Sequence, residues 1–222
     1  MPVRTLIFDM DGLIVDTEPL YWEVAREMAK KYGTTVADAT LRRMMGRSRI
    51  ESMRIFAEEC GITAAAPAEL LIEREQGMIA RFAAGVEPLP GLHSIIDRFR
   101  DRLRLAIATS SPKRFTDVLL PALGVADTFE VVQTGDDVRH GKPNPEIYLK
   151  CMGRLGVASG EVVVLEDSAA GALAGKRAGA YVIAVPTHLT VGEDFSFADA
   201  RAADLFDAAR QLDMLTEAEN GG

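Results

Sequence analysis

Cysteine is scarce in this chain of 222 residues, which has two, Cys60 and Cys151. They share no metal-ligand spacing and have no histidine cluster beside them. That argues against a zinc site or a disulfide framework and for two buried or half-buried thiols in a reducing cytoplasm. A positive balance of charge is lacking too. Lys and Arg number 25 against 33 Asp and Glu, a formal charge of −8. A general basic surface for nucleic acid or anionic lipid is thereby excluded, and only a local basic pocket stays open. No apolar run approaches the ~20 residues that a membrane-spanning helix needs. The N-terminal one is broken by Asp9 too early to form the core of a signal peptide. The expectation is a cytoplasmic protein that holds neither nucleic acid nor membrane. With 48% hydrophobic and 26% charged residues, the chain is long enough for one large domain, or a core with a smaller insertion.

Short apolar runs alternate with helical patterns. Residues 4–8, 103–109, 130–135, 161–167 and 181–185 read as strands, and their near-continuous apolarity suits strands covered on both faces of a parallel sheet. Helix signals fill the gaps. "SPKRFTDVLLPALG" opens on Ser111 and Pro112, with Ser111 a candidate cap and Pro121 expected to kink or end the helix a turn early; "NPEIYLKCMGRLG" opens on Asn144 and Pro145. These are crossover helices of a doubly wound, Rossmann-like α/β domain. Residues 19–84 break the alternation, with four helical runs and no strand. Leu20, Val24 and Met28 recur every four residues, as do Met53 and Ala57 with Ile50 a turn before, so the methionines read as core filling. Pro88 and Pro90 mark the return. The expected organisation is an α/β core of residues 1–16 and 89–222 with an all-helical cap of residues 17–88.

Parallel α/β sheets place ligands at the C-terminal ends of their strands. Asp9 and Asp11 lie at the first such end, and Thr109, Ser110 and Ser111 at the second. Lys142 lies in a loop, and Glu166 with Asp167 ends the fourth strand. Any one cluster could be a helix cap or a solvated loop. Together they bring three or four carboxylates, a lysine and hydroxyls to one edge, where the like charges repel unless a cation sits among them. An all-oxygen site that shares a phosphate suits Mg²⁺. Asp9 and Asp11, if extended, point to one side about 6–7 Å apart. That leaves room for one to attack and the other to transfer a proton. The hydroxyls, backbone N–H groups and Lys142 would hold the oxygens of a phosphoryl group.

The four segments "DMDGLIVDTE", "ATSS", "GKPNPE" and "LEDSAAG", in this order, resemble the signature motifs of the haloacid dehalogenase superfamily of phosphohydrolases. They are most similar to the branch with a helical cap after the first motif, which holds β-phosphoglucomutase, phosphoglycolate phosphatase and sugar-phosphate phosphatases. The resemblance implies that Asp9 is the nucleophile and forms an aspartyl-phosphate, with Asp11 the general acid and later base. It implies that Thr109 and Ser110 bind phosphoryl oxygens and that Lys142 offsets charge on Asp9 and the phosphate. Mg²⁺ would be held by Glu166, Asp167, the Asp9 carboxylate and the Asp11 carbonyl. In the cap, Glu18, Tyr21, Arg47, Ser48 and Arg49 are the substrate-facing candidates, although Ser48 reads equally as a helix cap with its arginines solvated. Arg49 matches a phosphate-binding arginine of the mutase branch; Tyr21 stands where that branch has a histidine. The expectation is a phosphoric monoester hydrolase, a monomer or weak dimer, acting on a small phosphorylated metabolite such as a sugar or polyol phosphate. A phosphosugar mutase is the alternative, and a non-catalytic phosphate-binding module is a remoter one.

Overall fold

A computed structural model describes residues 3–217. Six strands, β1 Thr5–Phe8, β2 Arg104–Ala108, β3 Val131–Gln133, β4 Val162–Glu166, β5 Tyr181–Ala184 and β6 Ala200–Arg201, form one sheet in the order β3-β2-β1-β4-β5-β6. Every pairing is parallel, with Thr5 opposite both Arg104 and Val162. All four residues of β1 and all five of β4 are buried. Because successive side chains point to opposite faces, the sheet is covered on both sides. β6 is too short to leave a periodic signal in the sequence.

The described residues divide into two compact units, one running up to Asp16 and resuming at Glu87, the other Thr17–Val86. The second is wholly helical: α1 Glu18–Lys31, α2 Asp38–Met44, α3 Arg49–Cys60 and α4 Pro67–Ala84. Gly77 lets α1 and α4 approach closely, since a Cβ there would lie 2.8 Å from Val24 Cγ1. Val24, Met28 and Met53 are buried, as their spacing predicts, but Ile50 is 48% exposed. The buried stripe of α3 runs through Ser52, Met53, Ile55, Phe56 and Cys60, rotated away from Ile50, which sits in the first turn. Ser48 caps α3, its hydroxyl accepting the Glu51 N–H at 3.3 Å.

Helices α5 Leu92–Phe99, α6 Lys113–Ala122, α7 Glu146–Leu155, α8 Ala169–Arg177 and α9 Leu205–Glu217 belong to the sheet's unit. α5, α8 and α9 have no counterpart in the sequence reading. Pro121 does not end α6 a turn early. It falls in the last turn, where its missing N–H removes a single helical bond, and the Leu123 and Val125 amides close the end on Leu119 and Leu120. Ile7, Ala106, Val162, Val164 and Val182 pack with Ile147, Tyr148 and Cys151 of α7 and with Ala172 and Ala174 of α8. Burying each large apolar side chain contributes about 1.5–3 kcal/mol. This packing fixes the strand ends and helix starts that carry the polar residues below.

Candidate active site

Asp9 directly follows β1, and its N–H donates to the Leu165 carbonyl of β4 at 3.0 Å, so sheet register sets its position. Its carboxylate is buried. The Lys142 ammonium donates to Asp9 Oδ1 at 2.5 Å, to Glu166 Oε1 at 2.5 Å and to the Ala108 carbonyl at 3.1 Å. All three ammonium donors are thus used, by three different strand ends. Glu166, the last residue of β4, is fully buried. It also accepts the Tyr148 hydroxyl at 2.7 Å on Oε1, and the Ser168 hydroxyl at 3.0 Å and N–H at 3.3 Å on Oε2. Asp167 completes the group: one oxygen each from Asp9, Glu166 and Asp167 lie within 4.8 Å of one another.

Two glycines make that convergence possible. Gly12 has φ +79°, and a Cβ there would fall 2.2 Å from Asp167 Oδ2; a Cβ on Gly171 would fall 1.8 Å from Glu166 Oε1. Each is a place where backbone must come up against a carboxylate.

Burial pushes the Asp9 carboxyl up to about 8; Lys142 opposes the rise, and Glu166 and Asp11 add to it. Burial likewise holds Asp167 well above the usual carboxylate range, with Glu166 and Asp9 adding repulsion. Lys142 behaves oppositely. Burial alone would discharge it, but Asp9 and Glu166 outweigh burial and raise it well above its ordinary value. Three buried carboxylates against one ammonium leave two negative charges to balance when all are ionised. A divalent, oxygen-loving cation fits that donor set.

Asp11 is kept apart from this group. Its Oδ2 accepts hydroxyl hydrogens from Thr109 at 3.2 Å and Ser111 at 2.8 Å, and Thr109 Oγ1 in turn accepts the Ser111 N–H at 3.0 Å. Ser111 does not cap α6, which starts after Pro112 with no side-chain cap; its hydroxyl is committed to Asp11. Ser110 is exposed. Two carboxylates, two residues apart in sequence, therefore occupy different settings, one beside an ammonium and the other under hydroxyls.

The sequence and the fold match a known family. A family model described as haloacid dehalogenase-like hydrolase covers residues 6–185. The chain belongs to this family. Among curated proteins it is 34% identical to the phosphorylated carbohydrates phosphatase of Thermotoga maritima, over 97% of this chain and 99% of that one. It is 37% identical to (DL)-glycerol-3-phosphatase 2 of Arabidopsis thaliana, over 83% of this chain and 80% of that one. Among solved structures, CbbY from Rhodobacter sphaeroides in complex with phosphate superposes with a TM-score of 0.84 at 26% identity, covering 91% and 95% of the two chains. This haloacid dehalogenase-like hydrolase is a phosphoric monoester hydrolase.

The helical unit of the hydrolase holds a second charged group. Arg49 pairs with the buried Glu75 at 3.2 Å, and the Arg74 guanidinium stands 5.3 Å over the Tyr21 ring. Glu18 accepts the Trp22 indole N–H at 2.8 Å, and Arg47 is exposed. Arg74 is buried, with no hydrogen-bond partner for its Nε, and burial lowers its pKa. Sequence reading passed over Arg74 because an arginine in "EREQG" looks like a solvated helix face. It passed over Tyr148 because a tyrosine in "EIYLK" looks like core. The signal available for Tyr148 was a lone hydroxyl on an otherwise apolar face, which must find a partner when buried. No described helix is long and apolar enough to cross a membrane.

Proposed function

We propose that this hydrolase is a Mg²⁺-dependent phosphatase of a small sugar or polyol phosphate and works through an aspartyl-phosphate on Asp9. The observation that carries the reading is the division of labour between the two aspartates. The Lys142 ammonium holds Asp9 at 2.5 Å as an oriented carboxylate. Asp11 sits under the Thr109 and Ser111 hydroxyls, outside the Asp9, Glu166 and Asp167 group.

Asp9, Asp167 and Glu166, with the Asp11 carbonyl, are the residues that would hold Mg²⁺. When bound, the ion would neutralise the carboxylates and stabilise charge on the transferring phosphoryl oxygens. Asp9 attacks phosphorus, forming an Asp9–phosphorus bond as the ester P–O bond breaks, and Asp11 hands its proton to the departing alkoxide. Asp11, now a carboxylate, takes a proton from water as the water oxygen attacks phosphorus, and the bond to Asp9 breaks to release inorganic phosphate. Lys142 keeps Asp9 fixed and its charge offset throughout. The Thr109 hydroxyl, turning from Asp11, joins Ser110 and backbone N–H groups on the phosphoryl oxygens.

The substrate class rests on the two relatives, one named for phosphorylated carbohydrates and one for glycerol 3-phosphate. Glu18, Tyr21, Arg47 and Arg49 are the cap positions assigned to the substrate. Hydrolysis is favoured over mutase activity because Tyr21, stacked against Arg74, holds the place of the mutase branch's histidine. A phenol with an ordinary pKa near ~10 relays protons poorly at neutrality. A non-catalytic phosphate binder would have no need of both Asp9 and Asp11.

The test is a phosphate-release screen over sugar, polyol and short-acid phosphates with and without Mg²⁺, with β-glucose 1-phosphate also followed through glucose 6-phosphate dehydrogenase. Mg²⁺-dependent phosphate release from a sugar or polyol phosphate is expected. Release confined to short-acid phosphates would refute the substrate class, and release unaffected by chelation would refute the metal. Primer-dependent isomerisation outpacing release would overturn the preference for hydrolysis.

A further inference from the structure

We propose that Glu146 is a positioning residue for Lys142: it clamps the loop that precedes α7 into the shape that delivers the Lys142 ammonium to Asp9. The importance of that delivery for turnover rests on the phosphatase reading above; the clamp itself does not.

Lys142 presents an unusual problem of placement. Its side chain is 8% exposed and ends among buried carboxylates. Its backbone belongs to a loop in which Arg139, His140, Gly141, Pro143 and Asn144 are all exposed. Apolar burial does not hold these residues, so polar bonds must. Glu146, in the first turn of α7, supplies the most concentrated set. Its Oε1 accepts the Arg139 N–H at 3.1 Å and its Oε2 the His140 N–H at 3.0 Å, one amide to each oxygen. The His140 ring contributes Nδ1 at 3.2 Å to Oε2, and Lys150, one helical turn further on, places its ammonium 2.7 Å from Oε1. The Glu146 N–H is itself received by Asn144 Oδ1 at 3.0 Å, and the Asn144 N–H by the Gly141 carbonyl at 3.0 Å. Arg177 holds the Pro143 carbonyl at 3.0 Å from α8. Lys142 is therefore carried on a closed ring of backbone that runs from Arg139 to Glu146 and is fastened at both ends by one carboxylate.

The chemistry of the clamp requires glutamate. Only an ionised carboxylate accepts from both amides and the ammonium. Lys150 first, then the Arg139 and His140 amides, depress Glu146 to about 2, so the clamp stays charged across any working pH. Glutamine at this position would turn an NH₂ toward one of the donors and lose the Lys150 pair. Aspartate keeps the charge but is one methylene shorter.

The test compares the wild type with Glu146→Gln and Glu146→Asp. Each is pulse-labelled with an amine-acylating reagent and mapped by mass spectrometry, with the exposed Lys31 and Lys113 as internal references. Wild-type Lys142 is expected to be protected, and Glu146→Gln to raise its labelling by at least about tenfold relative to those lysines, with Glu146→Asp recovering part of the protection. In parallel, Glu146→Gln should lower kcat by on the order of 10- to 100-fold, the scale of an ångström-sized misplacement. KM should change far less, and the substitution should have no further effect in a Lys142→Ala background. Unchanged Lys142 labelling in both variants overturns the proposal. So does a loss of activity that multiplies fully with that of Lys142→Ala, since a merely structural role would act independently of the lysine. Should the wild type release no phosphate from any ester, the phosphatase reading fails, and the labelling still decides the clamp.

Discussion

Replacing Gly171 by alanine sets two effects against each other. Gly171 is the third residue of α8, and glycine to alanine inside a helix ordinarily stabilises by ~1 kcal/mol. Here the new Cβ would fall 1.8 Å from Glu166 Oε1, 2.1 Å from its Cδ and 2.3 Å from Oε2. Ordinary carbon contacts lie near ~3.5–4 Å, so the carboxylate must retreat by well over an ångström. That withdraws it from Lys142, Tyr148 and both donors of Ser168. Stripping partners from a buried charge costs about 3–5 kcal/mol. The net expectation is a loss of about 2–4 kcal/mol, which lowers Tm by roughly 5–15 °C at this chain length, together with a collapse of turnover. Gly153→Ala in α7 is the control, because nothing lies within 4 Å of its Cβ. It should raise stability by ~0.5–1 kcal/mol. Scanning calorimetry and phosphate release on both variants decide the matter. A Gly171→Ala protein as stable and active as wild type would refute the reasoning that Glu166 is pinned by its neighbours.

Asp9→Asn is expected to abolish turnover while leaving the circular dichroism spectrum intact, and chelation of Mg²⁺ to silence the wild type; retained activity in either assay counts against the mechanism. Asp11→Asn keeps the backbone carbonyl and the Thr109 and Ser111 contacts, so it should bind Mg²⁺ nearly as wild type and slow alkyl phosphates far more than an activated aryl phosphate. Equal slowing on both would remove Asp11 from the acid role. In the site without its ion, burial raises Asp9 to about 8, so Mg²⁺ binding at pH 7 should displace a proton from it and leave the carboxylate that Lys142 orients. Calorimetric titration in buffers of different ionisation enthalpy should show proton release at pH 7 that fades above pH 9, with affinity rising through that window. The same shift makes the chelated protein less stable as pH climbs from about 4 to about 8, because the unfolded carboxyl ionises first and the folded state binds more protons.

The polar residues at the strand ends were visible in the sequence because each strand is a short apolar run that stops abruptly at them. The five longer strands and the four helices between Glu18 and Ala84 were equally visible from period and composition. α8 was obscured by its own function: "AAGALAGKR" is made of small residues that let it press against β4 and β5, and small residues carry little amphipathic signal. α5 and α9 went unread beside stronger strand signals. Ser111 looked like a cap because serine before a proline usually is one, and only the tertiary fold shows Asp11 arriving at its hydroxyl. Tyr148, Arg74 and Glu146 share a reason for escaping notice. What they touch lies across the fold, or in a loop whose shape they themselves determine, so spacing along the chain says nothing of it.

The centre of the sheet has a consequence for how the molecule comes to exist. β1 is the first strand in the sequence and pairs with strands that begin at Arg104 and Val162. The helices between Glu18 and Ala84 pack among themselves and can close early through local contacts. β1, by contrast, must wait as an unpaired apolar segment until distant chain reaches it. Loop closure over such separations slows folding and leaves an exposed edge open to other chains. The last motif, on β4, meets Asp9 only through the pairing of β1 with β4. Catalytic competence should therefore appear only with the final collapse of the sheet, so that a half-made molecule has no means of cleaving phosphate esters.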